Sequence, residues 1–478
     1  MLADSASTSL SRALSAAAAV HPGETGIRIL THPIDAFAAR VTLAAAAERS
    51  LDIQYYIWHE DHTGLLMFEQ LWKAAERGVR VRLLLDDIAT GGIDDILAAL
   101  DAHQNIEIRL YNPIVQRRTR WLAYLTDFGR LNRRMHNKSF TVDNAVTIVG
   151  GRNIGDEYFG VGEDLLFADL DVVAAGAVVP TVSTQFDLYW NSRTAIPLSR
   201  LVRAASARTA AKLHARFRAV HADSASRAYI VAAASAPLVA DLESDCPTLR
   251  WSRAELVHDD PAKTTSFRPR EEHLLFPSMM RAAGRPGETF DLVSPYFVPM
   301  PGGTETFANL VEQGVRVRIL TNSLAATDVA AVHAGYVKWR RDLLKAGVQI
   351  FEYHPTAGLT AGLAARPASV GLHSKTFAVD SERVFIGSFN FDPRSALLNT
   401  ELGIVIHSTS LAAQLHREFD TAVPDLAYEV LLGPGGKGLQ WIERTSRGEV
   451  QHRDEPGASA LRRFYVSILR WLPLDWLL

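Results

Sequence analysis

Two short runs of the sequence carry the residue types of phosphoryl chemistry at one fixed spacing. His136-Asn137-Lys138 is followed by Asp143 and then by Gly150-Gly151-Arg152-Asn153. His373-Ser374-Lys375 is followed by Asp380 and then by Gly387-Ser388-Phe389-Asn390. Matched identities of this kind arise by chance at on the order of 10⁻⁷ per starting position at ordinary residue frequencies, so two copies are not an accident. An imidazole serves as nucleophile or proton carrier near neutral pH, while ammonium and carboxamide groups donate to phosphoryl oxygens. Two such clusters suit one phosphodiester, which makes His136, Lys138, Asn153, His373, Lys375 and Asn390 the expected catalytic set.

Each histidine needs an acceptor on its second ring nitrogen. Asp169 and Glu401, each expected in a following strand, are the candidates, with Asp164 and Asp171 competing for the first place. Asp143 and Asp380, five residues after each lysine, are expected to hold a strand-end turn and not the substrate. Gly150, Gly151, Gly387 and Ser388 are expected to let backbone approach the anion, as phosphate-binding loops do. Neither a carboxylate cluster nor a paired-histidine spacing accompanies the lysines, whose charge repels a cation. A site without metal or cofactor is therefore expected.

The elements that must position these residues form a repeat with a period of about 240 residues. Leu51–Trp58 is matched by Phe290–Phe297, and Gly78–Leu85 by Gly314–Leu320, each an apolar strand. Ile106–Pro113 and Val348–Pro355 read as further strands, and Val182–Trp190 and Leu411–Phe419 as amphipathic helices. Phe140-Thr141-Val142 and Thr376-Phe377-Ala378-Val379 make each motif a strand, which would put its His and Lys on one face. Strand and helix alternate throughout, the signature of a layered α/β fold in each half. The expected division is an N-terminal segment of little order over 1–24, a first domain over 25–200, an Ala/Arg/Ser-rich, partly helical connection over 201–260, and a second domain over 261–478.

Composition removes several classes. With 478 residues, 47% hydrophobic and 22% charged, the chain is neither disordered nor collagen-like, and its single cysteine, Cys246, rules out a disulfide scaffold. A net charge of −3 denies it the overall basic field of a dedicated nucleic-acid binder. There is no run of about 20 apolar residues, and Ala16–Ala19 lacks the flanks of an export signal, so an intracellular chain with at most peripheral membrane contact is expected.

Three other stretches have chemistry-bearing composition. His59-Glu60-Asp61-His62 lacks the His-Glu-x-x-His spacing of a metal site and reads as a solvated loop entering a helix. Arg117, Arg118, Arg120, Arg130, Arg133 and Arg134 interleave with Trp121, Tyr124 and Phe128, a pattern open to nucleic acid, to anionic lipid head groups, or to a plain loop. At the C-terminus Leu461, Phe464, Tyr465, Ile468, Leu469 and Leu472 follow a helical stripe with Arg462, Arg463 and Arg470 outside it. Together with Trp471 and Trp476 this stripe suits a bilayer interface, the alternative being docking on the second domain.

The paired motifs resemble those of the phospholipase D superfamily, and the order of segments after about residue 25 is similar to that of bacterial cardiolipin synthases of the C type. Gly150-Gly151-Arg152-Asn153-Ile154-Gly155-Asp156 and Val257-His258-Asp259-Asp260-Pro261-Ala262-Lys263 carry the finer likeness, whereas Gly151 stands where the superfamily motif usually has Ser. The resemblance implies two tandem phospholipase D-like α/β domains related by a pseudo-two-fold, each a central mixed β-sheet flanked by helices, with the active site at their interface. It implies a phosphatidyl group carried on one histidine, with His136 as nucleophile and His373 as general acid, and moved to phosphatidylglycerol to give cardiolipin. The implied donors are phosphatidylglycerol or phosphatidylethanolamine, the implied location the cytoplasmic face of the inner membrane, with a helper protein left open and no nucleic-acid partner. A hydrolase giving phosphatidic acid, a phosphodiesterase or nuclease, and a non-catalytic membrane scaffold are the alternatives.

Overall fold

The computed structural model describes residues 7–161, 165–242, 248–266, 268–356 and 369–472. Asp164, Cys246, Trp476 and the remaining residues after Leu472 lie outside that set. Two large mixed sheets dominate. The first contains β1 (Thr25–Leu30), β2 (Ser50–Tyr55), β3 (Arg80–Asp86), β4 (Ile106–Tyr111), β5 (Ser139–Val142), β6 (Val146–Gly150), β8 (Asp171–Gly176), β9 (Ala195–Pro197) and β10 (Arg250–Ser252), while β7 (Leu165–Ala168) stands apart from it. The second contains β11 (Ala254–His258), β12 (Thr289–Val293), β13 (Arg316–Asn322), β14 (Gln349–Tyr353), β16 (Thr376–Val379), β17 (Arg383–Gly387), β18 (Leu402–His407), β19 (Ala427–Leu432), β20 (Leu439–Thr445) and β21 (Gly448–His452), with β15 (Ser369–Leu372) apart.

The strand orders are β10-β1-β8-β6-β5-β2-β3-β4-β9 and β11-β18-β17-β16-β12-β13-β14-β19-β20-β21. From β1 to β9 and from β11 to β19 they superimpose strand for strand, so the sequence repeat is a repeat of topology. In each half the three consecutive strands β2-β3-β4 and β12-β13-β14 are parallel, and their neighbours are antiparallel. Helices cross between the parallel strands, as right-handed crossover connections require. Gly78 and Gly314, both at φ +90°, make the equivalent turns from helix into strand, a conformation that residues with a Cβ adopt at a cost.

Both sheets are covered on two faces, which is why their strands read as nearly continuous apolar runs. One face packs on helices, with Leu51, Ile53, Phe68 and Leu83 in the first half and Phe290, Leu292, Ile319 and Phe377 in the second. The other faces of the two sheets meet each other, with Val149, Val172 and Ala174 against Ala378, Ile386 and Ile404. A charged network repeats as well: Arg82 binds Asp52 and Asp187, and Arg318 binds Asp291 and Asp420, tying the helices Val179–Trp190 and Thr409–Thr421 to their sheets. Truncating Arg82 would leave the buried Asp52 unpaired, a loss of about 3–5 kcal/mol, whereas Asp291 would keep His416, whose Nδ1 lies 2.5 Å away.

Two expectations about organisation need correction. Residues Ser9–Val20, expected to have little order, form a helix that Thr8 caps and Leu14 anchors in the core. The second domain starts at β11 and not at 261, because Ala254–His258 pairs along its whole length with β18. Within the connection, the helices Ala207–Ala222 and Ser224–Ala234 pack on the first half, with Leu213, Phe217 and Tyr229 in its core.

Candidate active site

Strand register places the two motifs. Gln54 pairs with Ser139 and Val293 with Thr376, so β5 and β16 begin where the parallel strands β2 and β12 end. The His-x-Lys segments immediately precede those strands and are not part of them, which corrects the expectation that each motif is itself a strand. Backbone then locks each segment to the opposite half. Met135 bridges Thr400, and His136 N donates to Thr400 O at 2.8 Å. Symmetrically, β15 pairs with β7, and His373 N donates to Ala168 O at 2.8 Å.

Those two crossings bring each histidine to a carboxylate of the other half. His136 Nδ1 lies 2.8 Å from Glu401 Oε2, and His373 Nδ1 lies 2.5 Å from Asp169 Oδ2. Both carboxylates sit one or two residues ahead of a strand, β8 and β18, and not within it. Asp171, the described competitor for Asp169, is bound instead to Arg40 and Arg152. With Nδ1–H given to a carboxylate, Nε2 of a neutral imidazole keeps its lone pair for chemistry. Tyr56 abuts the His136 ring edge-on at 4.8 Å, and Tyr158 and Phe167 flank that of His373 at 5.3 and 5.0 Å.

Each lysine folds back on its own motif. Lys138 Nζ donates to His136 O at 2.7 Å, and Lys375 Nζ donates to His373 O. Asn153 accepts from Ile57 N and donates to Tyr158 OH, whereas the buried Asn390 Oδ1 has no partner. Among the described residues no three His, Cys, Asp or Glu side chains are grouped to hold a metal ion.

The electrostatics are not symmetric. Burial, then Lys138, Lys375 and His373, push His136 well below its ordinary pKa. His373 is lowered by burial and Lys375 but supported by Asp169. Burial lifts Glu401 to about 7, against the pull of Lys138, while Asp169, despite burial, is held far down by His373, Lys375 and Arg152. Burial also lowers Lys138 to about 7 and Lys375 to about 8, and in Lys138 repulsion from Lys375 adds to the fall. The result is a firmly ionised carboxylate on His373 and a carboxyl close to its midpoint at neutral pH on His136.

The glycine-rich turns have a different task from the one expected. A Cβ on Gly150 would fall 2.2 Å from Asp171 Oδ1, one on Gly151 2.1 Å from Asp169 Oδ1, and one on Gly387 2.5 Å from Leu402 O. These glycines let protein atoms, and not an anion, come close. Ser388 Oγ donates to Glu401 Oε2 at 2.5 Å. Gly151 therefore stands where Asp169 of its own half leaves no room for a serine, and the missing hydroxyl is one that, in the second half, serves a carboxylate.

Asp143 accepts from the N–H groups of Glu48, Arg49 and Ser50, and Asp380 from those of Gly287, Glu288 and Thr289. Both fasten the start of β2 or β12, away from the imidazoles. His59-Glu60-Asp61-His62 leads into the helix His62–Glu76, which Asp61 caps through Gly64 N, and the partly exposed His62 binds Asp156 through Nδ1 at 2.7 Å.

Several supporting residues escape the motif reading. Asp86 accepts from Met135 N at 2.7 Å, and its repeat equivalent Asn322 exchanges two hydrogen bonds with the backbone of Leu372, so each holds the residue before a histidine. Asp259 accepts from Glu401 N and from Lys263 Nζ, and Ser395 Oγ donates to Glu401 Oε1. The shared end point of β3 and β13 was the available signal for the first pair. The Asp259–Lys263 spacing lay in view without a role.

The arginine cluster is largely spent inside the protein. Arg117 binds Asp87 and Asp94, Arg130 binds Asp127, and Arg134 is fully buried against Asp86. It does not form the strand-binding surface that a nuclease would need. On the C-terminal helix Ala460–Leu469, Phe464, Tyr465 and Ile468 are exposed, as is Trp471 in the turn after it, whereas Leu469 packs on the small cluster around Val466 and does not face outward.

A family model described as Cardiolipin synthase, PLD-like domain, matches residues 41–190 and 279–423. The chain is 46% identical over 463 residues to Cardiolipin synthase C of Escherichia coli (strain K12), covering 96% of this chain and 97% of that protein. It is 26% identical over 415 residues to Cardiolipin synthase A of Pseudomonas syringae pv. syringae, covering 84% and 69%. The crystal structure of phosphatidylserine synthase from Haemophilus influenzae matches with a TM-score of 0.61 at 12% identity, over 98% of this chain and 100% of that one.

Proposed function

The chain belongs to the phospholipase D-like cardiolipin synthase family, and on that premise we propose that it transfers a phosphatidyl group through His136 to the free hydroxyl of phosphatidylglycerol. The observation that carries this reading is the crossed pairing of each imidazole with the other half's carboxylate, since it builds one centre from two repeats.

Nε2 of His136 attacks phosphorus, the bond from phosphorus to the head-group oxygen breaks, and His373 Nε2–H gives its proton to the departing alcohol. The acceptor hydroxyl then surrenders its proton to His373, and its oxygen displaces His136 to form cardiolipin. With phosphatidylglycerol as donor the released alcohol is glycerol, and with phosphatidylethanolamine it is ethanolamine. Lys138, Lys375, Asn153 and Asn390 surround the phosphoryl oxygens as their charge grows. The role assignment is supported by charge: His136 is driven neutral by burial and the lysines, as a nucleophile must be, while ionised Asp169 favours a proton on His373. Asp143, Asp380 and the glycine turns act through the backbone alone.

No helix among the described residues is long and apolar enough to cross a membrane. The substrates lie in a bilayer, and the exposed apolar stripe of the C-terminal helix is the contact that we assign to the cytoplasmic membrane surface.

Lipids extracted from cells lacking endogenous cardiolipin synthases should regain cardiolipin when this chain is supplied and not when His136→Ala is. Phosphatidic acid in its place, read by mass spectrometry, would favour the hydrolase. The lysines set a pH limit. In the free protein they lose protons as pH rises through about 7 to 8, so kcat/KM should fall across that range. A bound phosphodiester anion raises both values, so kcat should hold to higher pH. The two profiles coinciding, or kcat/KM flat to pH 9, would remove the lysines from phosphate binding.

A further inference from the structure

Two exposed apolar surfaces stand beside the site, one from each half. The segment from Val115 to Phe128 presents Trp121, Leu122, Leu125 and Phe128, with Trp121 and Leu125 66% and 75% exposed. The C-terminal helix and the turn after it present Leu461, Phe464, Tyr465, Ile468 and Trp471. Clusters of this size on one surface mark an interaction site, whereas single exposed apolar residues do not.

The anchoring of the two surfaces is equivalent under the repeat. Arg120 donates to Asp87 O and Arg117 clamps Asp87 and Asp94, so the first segment is fixed to the loop that follows β3. Arg462 donates to Thr327 O and Val466 packs with Leu324 and Ala334, which fixes the C-terminal helix to the loop that follows β13. The residues that open these loops, Asp86 and Asn322, are the ones that hold Met135 and Leu372 beside the two histidines. Both surfaces therefore sit at the sheet ends where the histidines meet, on opposite sides of the pseudo-two-fold.

Resting on the transferase reading above, we propose that these two surfaces form one bilayer-docking face that seats the mouth between His136 and His373 on an anionic leaflet. Charge supports the choice of a lipid surface. Residues 115–126 and 460–472 contain no carboxylate, and although Asp87 and Asp94 engage Arg117, Asp87 engages Arg120 and Thr327 O engages Arg462, each surface keeps an outward arginine. Arg118 and Arg470 are exposed beside the apolar residues, placed for lipid phosphates. Leu122, Leu125 and Ile468 interleave with the exposed rings of Trp121, Phe464, Tyr465 and Trp471, and a bilayer interface takes both kinds of side chain whereas a base stacks on the rings alone.

The test is flotation of the full chain with vesicles of phosphatidylglycerol and phosphatidylethanolamine, which reads docking without turnover. Trp121→Ser/Leu125→Ser and Phe464→Ser/Ile468→Ser should each lower vesicle partitioning about tenfold or more, and the fourfold variant should abolish it. Val231→Ser/Val450→Ser removes exposed apolar residues elsewhere on the surface and should float like the parent. Thermal melting confirms that each variant is folded. Undiminished flotation of the first pair, an equal loss in the control, or binding to a single-stranded DNA oligonucleotide without binding to vesicles would overturn the docking face. A parent chain that floats yet makes no phospholipid product would sink the transferase reading and leave docking standing.

Discussion

His373→Ala should lower steady-state turnover of phosphatidylglycerol by about 10⁴-fold, and His136→Ala by at least as much. One centre assembled from both halves requires this, whereas two independent sites would leave each variant near half activity. The variants should part company on a phosphodiester whose leaving group needs no proton. With a p-nitrophenyl ester, His373→Ala should still release about one equivalent of nitrophenol in a burst and then stall, because no base remains to activate the acceptor. His136→Ala should show no burst. Stopped-flow absorbance reads both outcomes, and a burst in His136→Ala with none in His373→Ala would reverse the roles.

Asp169→Asn should cost more than Glu401→Gln, although the two carboxylates occupy equivalent places. Asp169 is held ionised by His373, Lys375 and Arg152, so its replacement removes a full charge from the histidine that must carry a proton. Glu401 is lifted by burial to about 7 and also accepts from Ser388 and Ser395, so a neutral amide comes closer to the state already present. A loss of about 100-fold or more for Asp169→Asn against about tenfold for Glu401→Gln is expected in kcat, with KM little changed. Equal losses would mean that the electrostatic difference between the halves has no part in the reaction.

Much of the centre was legible because its residues are local: His, Lys and Asn fall within one turn-and-strand unit, and the duplication raises them above chance. Asp169 and Glu401 were legible as types but not as partners. Their pairing crosses between halves through β7 with β15 and Met135 with Thr400, contacts between residues more than 200 positions apart that leave no periodic trace. The glycines were misread because close strand packing and anion approach ask for the same missing Cβ. The boundary at 261 was misplaced because β10 and β11 are short edge strands in a polar run, Arg250-Trp251-Ser252-Arg253-Ala254-Glu255, where apolar alternation is weak. Lysine capture of its own motif's carbonyl is a three-dimensional event that spacing alone does not fix.

Trapping the covalent species is the most direct test. Phosphatidylglycerol labelled in its phosphate, mixed with the protein and quenched in denaturant at alkaline pH, should leave an acid-labile phosphoramidate on the peptide that contains His136. The label should be missing from His136→Ala, and in His373→Ala it should accumulate only when the labelled lipid is the p-nitrophenyl ester, whose leaving group needs no proton. Label that persists undiminished in His136→Ala, or turnover with no histidine-bound phosphate at any time point, would contradict a reaction carried by that imidazole.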